Sequence, residues 1–383
     1  MDITSWYASH FEPQLRGRYI TLESIFPLLD VYRNFYEISI LGESELHRDI
    51  PLIKLGSGNK KVLAWSQMHG NESTTTKAIF DFLKFLSQKY YFQNEIERFL
   101  DTYTFFIIPI LNPDGAARYT RENAKSVDLN RDAQKLSQKE SIVLRTVFDL
   151  IKPDLCLNLH DQRTIYGVES HQPATVSFLA PAADAERTIT PARKAAMEHI
   201  VRMHRTLQQF IPGQVGRYDD SFNLNCVGDT FQNADVTTIL FEAGHQSFDY
   251  QREKTREYIF YAFLTLFGIY EIDRSQVDYQ DYFKIAENKI LFKDVILRNV
   301  RLNMKSDPTS LAIQFTEELE VDTVQFVGYI DFIGDLNDFS GHCEIDCKGN
   351  SILINSQKNV GVGEKVVKIV KENDESVVYF PVK

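Results

Sequence analysis

The sequence predicts an α/β protein with a three-layer, mixed-sheet domain followed by a small all-β C-terminal domain. Three observations support this prediction. Nearly continuous apolar runs, typical of strands covered on both faces, occur at 62–65, 103–111 and 155–159. Helical periods alternate with these runs, as in the apolar positions Ile79, Phe82, Leu83 and Leu86. Past Asp278, short strand patterns without a comparable helical period take over.

The first part of the chain alternates strands with helices. Residues 1 to about 35 have no clear period and are predicted to be an N-terminal extension whose aromatic side chains could dock on the protein body. After them, strands are predicted at 35–41, 50–55, 61–65, 103–111, 155–159, 175–179 and 236–241. One helix is predicted to begin near Ser73, and others lie at about 137–150, 191–210 and 251–267. These elements form a predicted domain over residues 1–277.

The segment 278–383 is predicted to be a β-rich accessory domain. Its apolar and polar residues follow short strand patterns, and polar turns separate them. The predicted strands lie at 290–300, 311–315, 323–332, 351–354 and 366–380.

Composition narrows the class of protein. The chain has 383 residues, of which 43% are hydrophobic and 25% are charged, as in ordinary globular proteins. A formal net charge of −11 argues against nucleic acid or an anionic membrane as the partner. The longest uncharged apolar stretch, 258–270, is too short to span a bilayer. Four cysteines and an N-terminus without signal-peptide features favour a cytoplasmic protein with reduced thiols. The oligomeric state is not predicted.

A metal site is predicted from one imidazole and one carboxylate. His69 and Glu72 follow the apolar run 62–65, and their spacing lets both side chains turn toward one point. Neutral imidazole and carboxylate are ligands of Zn²⁺, and a catalytic zinc site has three protein ligands and one open position. His160 also follows an apolar strand, so it is the natural third ligand. The alternative is that His160 is an ordinary buried histidine.

Two further groups lie at equivalent strand ends. Glu242 follows the apolar strand 236–241, and burial there would raise its pKa toward the range of a general base. The alternative is a structural carboxylate with a partner. Arg121 and Arg131, with Asn130 between them, form a candidate carboxylate-recognition unit, because arginine binds carboxylates in a bidentate way. The alternative there is a solvated charged loop.

This ordered set of motifs resembles the M14 family of zinc metallocarboxypeptidases, over about residues 36–267. The amino-acid sequence of residues 121–131 is most similar to that of bacterial members that trim peptidoglycan-derived peptides. The motifs that carry the resemblance are 42–44 with 48–50, His69-Gly70-Asn71-Glu72, Asn112-Pro113-Asp114-Gly115, Asp128-Leu129-Asn130-Arg131, His160 and Glu242.

The resemblance implies roles for individual residues. His69, Glu72 and His160 would bind one Zn²⁺ per chain, and Glu242 would be the general base. Arg121 would polarise the scissile carbonyl. Asn130 and Arg131 would hold the terminal carboxylate of the substrate. Family members usually carry a mobile tyrosine, for which Tyr218 is the nearest candidate, and Asp229 lies near the expected specificity pocket, where it would favour a basic side chain.

The predicted function is hydrolysis of the C-terminal peptide bond by a zinc-dependent metallocarboxypeptidase, an exopeptidase. Two of these motifs, His69-Gly70-Asn71-Glu72 and Asp128-Leu129-Asn130-Arg131, also resemble the aspartoacylase and succinylglutamate desuccinylase relatives. An N-acyl-amino-acid deacylase is therefore the first alternative. The substrate is then a peptide or an acylated amino acid with a free carboxylate. A non-catalytic peptide-binding module that keeps the fold is the second alternative.

Overall fold

The structure is a computed structural model that describes residues 2–88, 90–169, 172–273, 275–302, 306–357 and 360–379. Within these ranges, no helix combines the length and the apolar character that a membrane span requires. The four cysteines are unpaired. The cytoplasmic location and the domain boundary at 277/278 stay predictions.

The central element is an eight-stranded mixed sheet in the order β1-β2-β4-β3-β5-β10-β8-β9. Strands β4, β3, β5 and β10 are parallel, whereas β1 and β2 pair antiparallel with their neighbours. Strand β8 is antiparallel to β10 and parallel to β9. The strands up to residue 290 are β1 Glu37–Glu43, β2 Asp49–Leu55, β3 Lys60–Ser66, β4 Tyr103–Ile108, β5 Leu155–Asp161, β6 Tyr166–Val168, β7 Gln172–Pro173, β8 Val176–Leu179, β9 Val215–Arg217, β10 Thr237–Ala243 and β11 Lys289–Ile290.

Helices cover both faces of this sheet. They are α1 Ile3–His10, α2 Leu22–Tyr32, α3 Thr74–Ser87, α4 Gln93–Thr102, α5 Pro113–Arg118, α6 Lys139–Ile151, α7 Pro191–Leu207, α8 Val227–Asn233 and α9 Glu253–Leu266. Alternate residues of β3 enter two separate cores: Val62 packs with α3, α7 and α9, and Leu63 packs with α6 and α8. The predicted three-layer α/β fold is therefore confirmed, because side chains of one strand point to opposite faces.

The N-terminal residues pack onto the body as helices. Trp6 of α1 is fully buried and stacks on Phe260 of α9, with ring centroids 5.5 Å apart. Arg256 of α9 forms a buried ion pair with Asp81 of α3, at 2.6 Å. The aromatic docking that the sequence suggested is confirmed. Helix α1 escaped prediction because its contacts with α3 and α9 involve residues more than 70 positions away in the chain.

Several element boundaries differ from the prediction. Glu242 and His160 lie inside their strands rather than just after them, since β10 and β5 each continue for one further residue. Asn112 caps helix α5 through a hydrogen bond from the Gly115 amide to its side chain, at 2.8 Å, so a short helix follows β4 where turns were expected. Helices α4 and α8 were also not predicted.

Two further sheets form the C-terminal part. A five-stranded sheet has the order β15-β12-β13-β14-β17, and a three-stranded sheet has the order β16-β18-β19. The predicted β-rich character of this part is confirmed, although β15 was missed and Phe380 of the last predicted strand lies outside the described residues. The strands are β12 Phe292–Val300, β13 Thr309–Glu320, β14 Thr323–Gly334, β15 Ser340–Asp346, β16 Ile352–Ile354, β17 Lys365–Val366, β18 Ile369–Lys371 and β19 Val377–Tyr379.

Asp294 of β12 joins the C-terminal sheet to the body. Its carboxylate accepts hydrogen bonds from the Tyr250 hydroxyl at 3.0 Å, from the Phe315 amide at 2.7 Å and from the Gln314 side chain. Burial raises the pKa of Asp294 from 3.8 to about 6. The folded protein thus holds this proton more tightly than the unfolded chain does. The protonated Asp294 side chain therefore stabilises the folded protein fully below about pH 4, and this stabilisation is lost as the pH rises through about 6.

In wild type, Asp294 should lower the free energy of unfolding by about 3 kcal/mol between pH 4 and pH 7, since one pKa unit corresponds to about 1.4 kcal/mol. We expect this part of the pH dependence to be absent in Asp294→Asn. The asparagine side chain keeps an oxygen that can accept from the main-chain N–H of Phe315, and its NH₂ group can donate to the Tyr250 hydroxyl. Urea unfolding at four pH values measures the effect. Asp322→Asn, at the exposed turn between β13 and β14, is the matched control. Identical pH slopes for wild type and Asp294→Asn would contradict this account.

Candidate active site

His69, Glu72 and His160 form a compact buried cluster at the carboxyl ends of β3 and β5. The two Nδ1 atoms of the histidines lie 3.1 Å apart. The Glu72 carboxylate lies between them, with Oε1 at 2.7 Å from His69 Nδ1 and Oε2 at 2.9 Å from His160 Nδ1. The three side chains that the sequence singled out as metal ligands are thus brought together.

The donor set of this cluster fits Zn²⁺. In a tetrahedral site with Zn–N bonds of about 2.0–2.1 Å, two ligand nitrogens lie roughly 3.3 Å apart, close to the separation found here. Burial is the largest influence on the His160 imidazole and lowers its pKa, which favours the neutral form that binds metals. Two imidazoles and one carboxylate also match the ligand number of catalytic zinc sites, which leave one position open.

Close contact between the loop after β3 and helix α5 positions His69 and Glu72. A Cβ atom on Gly70 would overlap the main chain of Gly115, so only glycine lets the loop approach the helix this closely. The Asn112 side chain also donates to the Met68 carbonyl, at 3.2 Å. The motifs at 69–72 and 112–115 are therefore one packed unit, and the second motif holds the first in place.

Asp128 orients His69 from the other side of the ring. Its Oδ1 atom lies 3.0 Å from His69 Nε2, which leaves Nδ1 free to face the cluster. Its Oδ2 atom accepts hydrogen bonds from Nε and Nη2 of Arg121, at 3.1 and 3.0 Å. Burial acts to raise the pKa of Asp128, but the hydrogen bond and charge of His69, with Arg121, hold it below its ordinary value.

Arg121 lies beside the cluster. Its Nη1 atom donates to Glu72 Oε1 at 3.2 Å, in addition to its two hydrogen bonds to Asp128. The guanidinium therefore occupies a fixed position next to the candidate metal ligands.

Glu242 pairs with His160 in the register of β10 and β5. Its Oε2 atom is buried and has no hydrogen-bond partner among the described residues. Burial raises the pKa of Glu242 well above the range of an ordinary carboxyl, and the nearby Glu72 carboxylate adds to the rise. A carboxyl group without a partner at this depth is costly, so its position favours a chemical role over a structural one.

The remaining sequence-predicted residues line the same cleft, which has a volume of about 910 Å³. Asn130 accepts a hydrogen bond from the first amide of α8, at 3.0 Å, and Arg131 is exposed next to it. The Tyr218 hydroxyl donates to the Tyr166 hydroxyl at 2.9 Å. Asp229 of α8 is buried, which raises its pKa to about 6. The structure thus places all nine predicted site residues around one cleft.

Comparison with protein-family models gives one match, to "Zinc carboxypeptidase", Peptidase_M14, over residues 26–152. The resemblance to the M14 family is confirmed. None of the curated proteins matches the chain at a significant level.

Solved carboxypeptidase structures share the fold with this M14-like chain. A metallo-carboxypeptidase from Burkholderia cenocepacia is 17% identical, with a TM-score of 0.54, and the match covers 65% of this chain and 69% of that protein. A protein assigned as carboxypeptidase A from Shewanella denitrificans OS-217 is 18% identical, with a TM-score of 0.54 and 69% coverage of both chains. Thrombin activatable fibrinolysis inhibitor is 14% identical, with a TM-score of 0.51, and the match covers 66% of this chain and 73% of that one. At these identities the similarity establishes the carboxypeptidase-like fold.

Several residues of this M14-like cleft were not predicted from the sequence. Asp128 was quoted within a motif but was given no role, and Asp161 follows His160 directly, so both could have been found from their neighbours. Arg18, Tyr119 and Glu317 also line the cleft. Arg18 and Glu317 come from distant parts of the chain, and Tyr119 lies two residues before Arg121; no local pattern marks any of the three.

Proposed function

We propose that this protein is a zinc-dependent metallocarboxypeptidase that hydrolyses the C-terminal peptide bond of peptides. The observation that carries the proposal is the convergence of His69, Glu72 and His160 in one cleft with Glu242 and two arginines. The match to the zinc carboxypeptidase family model and the carboxypeptidase-like fold support it.

In this proposal, His69, Glu72 and His160 hold the zinc ion through two nitrogens and a carboxylate. Bound zinc supplies a Lewis acid that polarises the scissile carbonyl and makes water more acidic. Glu242 takes a proton from the attacking water, and its raised pKa suits it to return that proton to the leaving amine.

Arg121 and Arg131 have different tasks in this proposal. Arg121 is held by Glu72 and Asp128, so its positive charge is fixed where an oxyanion develops on the scissile carbonyl. Arg131, which is exposed in the cleft, binds the terminal carboxylate with Asn130 beside it. Recognition of that carboxylate restricts cleavage to the last residue, because an internal bond lacks a charged group at this distance.

The test measures hydrolysis, by the zinc-loaded protein, of a panel of three types of substrate that share the same terminal residue. They are a peptide with a free C-terminus, the same peptide with an amidated C-terminus, and an N-acetyl- or N-succinyl-amino acid. We expect release of the last residue from the free peptide alone. Release from the acylated amino acids alone would overturn the proposal in favour of a deacylase. Binding without hydrolysis of any member would favour a peptide-binding module.

The same panel tests terminal-residue specificity when it includes lysine, phenylalanine and aspartate at the C-terminus. Asp229 lines the cleft on α8, and the Asn223 amide donates to its carboxylate at 2.9 Å. Although burial raises the pKa of Asp229 to about 6, its carboxylate is still mostly ionised at neutral pH and would favour lysine.

Asp128→Asn is expected to weaken zinc binding by about 10- to 100-fold, because the amide orients the His69 ring less well than the carboxylate does. Competition with a chromogenic chelator measures the affinity. The control is Asp132→Asn, four residues further along the same segment. It makes the same change of charge at a carboxylate that accepts from the Ser137 amide, ahead of α6. Equal zinc affinities for the two variants would contradict the orienting role of Asp128.

A further inference from the structure

The hairpin formed by β13 and β14 is one wall of the cleft. Phe315 and Glu317 of β13 and Phe326 of β14 line it. The Tyr250 ring packs against this hairpin, with its centroid 5.1 Å from that of Phe315 and 5.2 Å from that of Phe326. The C-terminal part of the chain therefore contributes directly to the site that holds the candidate metal ligands.

Glu317 is linked to the metal cluster through two ion pairs. The Nη2 atom of Arg18 lies 3.5 Å from Glu317 Oε2 and 3.5 Å from Asp161 Oδ2. The Asp161 amide in turn donates to Glu72 Oε2, at 3.1 Å. The Tyr119 hydroxyl also donates to Glu317 Oε2. These contacts fix the Glu317 carboxylate in one place, and both fall on its Oε2 atom.

Arg18 lies between the two carboxylates of Glu317 and Asp161, and the charge of Arg252 also acts on both of them. The side chains of Arg18 and Asp161 are only 4% and 2% exposed, whereas that of Glu317 is 25% exposed. The neighbouring guanidinium of Arg252 donates to three main-chain carbonyl oxygens and does not pair with Glu317 through a hydrogen bond. Glu317 is therefore the more exposed of the two carboxylates, and it lines the cleft.

We propose that Glu317 is a specificity-determining residue that binds the free α-ammonium group of a short peptide substrate. The inference rests on the proposed carboxypeptidase function. If Arg131 holds the C-terminal carboxylate, the hairpin wall is left for the residues that precede the scissile bond. A volume of about 910 Å³ is that of a site for one small ligand, so di- and tripeptides fit it. An ammonium group donates charge-assisted hydrogen bonds to a carboxylate, and N-acetylation removes that charge.

The experiment compares di- and tripeptides with free and with N-acetylated amino groups and the same C-terminal residue. For wild type we expect kcat/KM to be at least about tenfold higher for the free amino group, the usual scale of a hydrogen bond to a charged group. Glu317→Gln is expected to bring this ratio close to one. Tyr119→Phe, which removes one contact that holds Glu317, is expected to lower the ratio partly.

Glu318→Gln is the matched control, because it removes the same charge from the next residue, whose carboxylate accepts from the Tyr329 hydroxyl at 2.9 Å. It is expected to keep the wild-type ratio, and thermal unfolding checks that all variants fold. Calorimetry with non-hydrolysable analogues of the same peptide pairs measures binding without turnover. Hydrolysis with no preference for the free amino group, or a preference unchanged in Glu317→Gln, overturns the inference. Preferential binding of the free-amino analogues without hydrolysis of any peptide overturns the proposed function and leaves the Glu317 site standing.

Discussion

Glu242→Gln is expected to lower kcat/KM for a C-terminally free peptide by about 10²- to 10⁴-fold, the usual contribution of a general base. The amide matches the carboxylate in size but cannot accept a proton at neutral pH. Because burial raises the pKa of Glu242, the acid limb of the wild-type pH profile should lie above about 4.3, the value of an ordinary glutamate. Activity should rise with pH across this limb, as the carboxyl group loses its proton.

Steady-state kinetics from pH 4 to pH 9 on zinc-loaded protein measure both effects. Zinc content should remain at the wild-type level, because Glu242 is not one of the three clustered donors. The control is Glu37→Gln, which makes the same chemical change at an exposed residue of β1 that does not line the cleft. A Glu242→Gln variant with wild-type kcat/KM, or with an unchanged acid limb, would contradict the assignment of Glu242 as the base.

His160→Ala is expected to reduce zinc content to background and to abolish hydrolysis. The substitution removes one of three ligands, and a two-ligand site no longer matches the donor number of a catalytic zinc centre. Loss of a Lewis acid worth several kcal/mol corresponds to a fall of about 10³-fold or more in rate. Metal analysis after dialysis against a weak chelator, together with kcat/KM, measures the two effects in the same sample.

The control for His160→Ala is His199→Ala, on α7. Like His160, His199 has one buried ring nitrogen without a hydrogen-bond partner among the described residues, and burial lowers the pKa of His199 to about 4. It lies outside the candidate cluster, so this variant should keep both zinc and activity. If His160→Ala retained a full zinc complement while His199→Ala lost it, the metal site would lie elsewhere.

Much of the fold followed from local patterns, because burial of a strand or helix imposes a period on its own residues. The apolar runs around 62–65 and 155–159 marked β3 and β5 as central strands, and helices α3, α6, α7 and α9 appeared close to their predicted positions. Helix α1 was missed for the same reason: its amphipathic pattern is weak, and it is stabilised by contacts to α3 and α9.

The residues of the candidate site also fall into two groups: those that local patterns predicted, and those whose contacts join distant parts of the chain. The sequence allowed four site residues to be predicted: His69 and Glu72 from their spacing, and His160 and Glu242 from their positions near strand ends. This was possible because parallel strands bring their carboxyl ends to one edge of a sheet. No such rule connects Asp128 with His69, 59 residues apart, or Tyr119 with Glu317, 198 residues apart.

The sequence by itself determined the candidate metal-binding donors, the candidate base and the layered fold that carries them. Tertiary structure alone decided that Arg18 from the N-terminal segment and Glu317 from the β13–β14 hairpin meet beside those donors. The physical reason is that periodicity records which face of an element is buried, whereas contact between distant side chains depends on how the elements pack against one another.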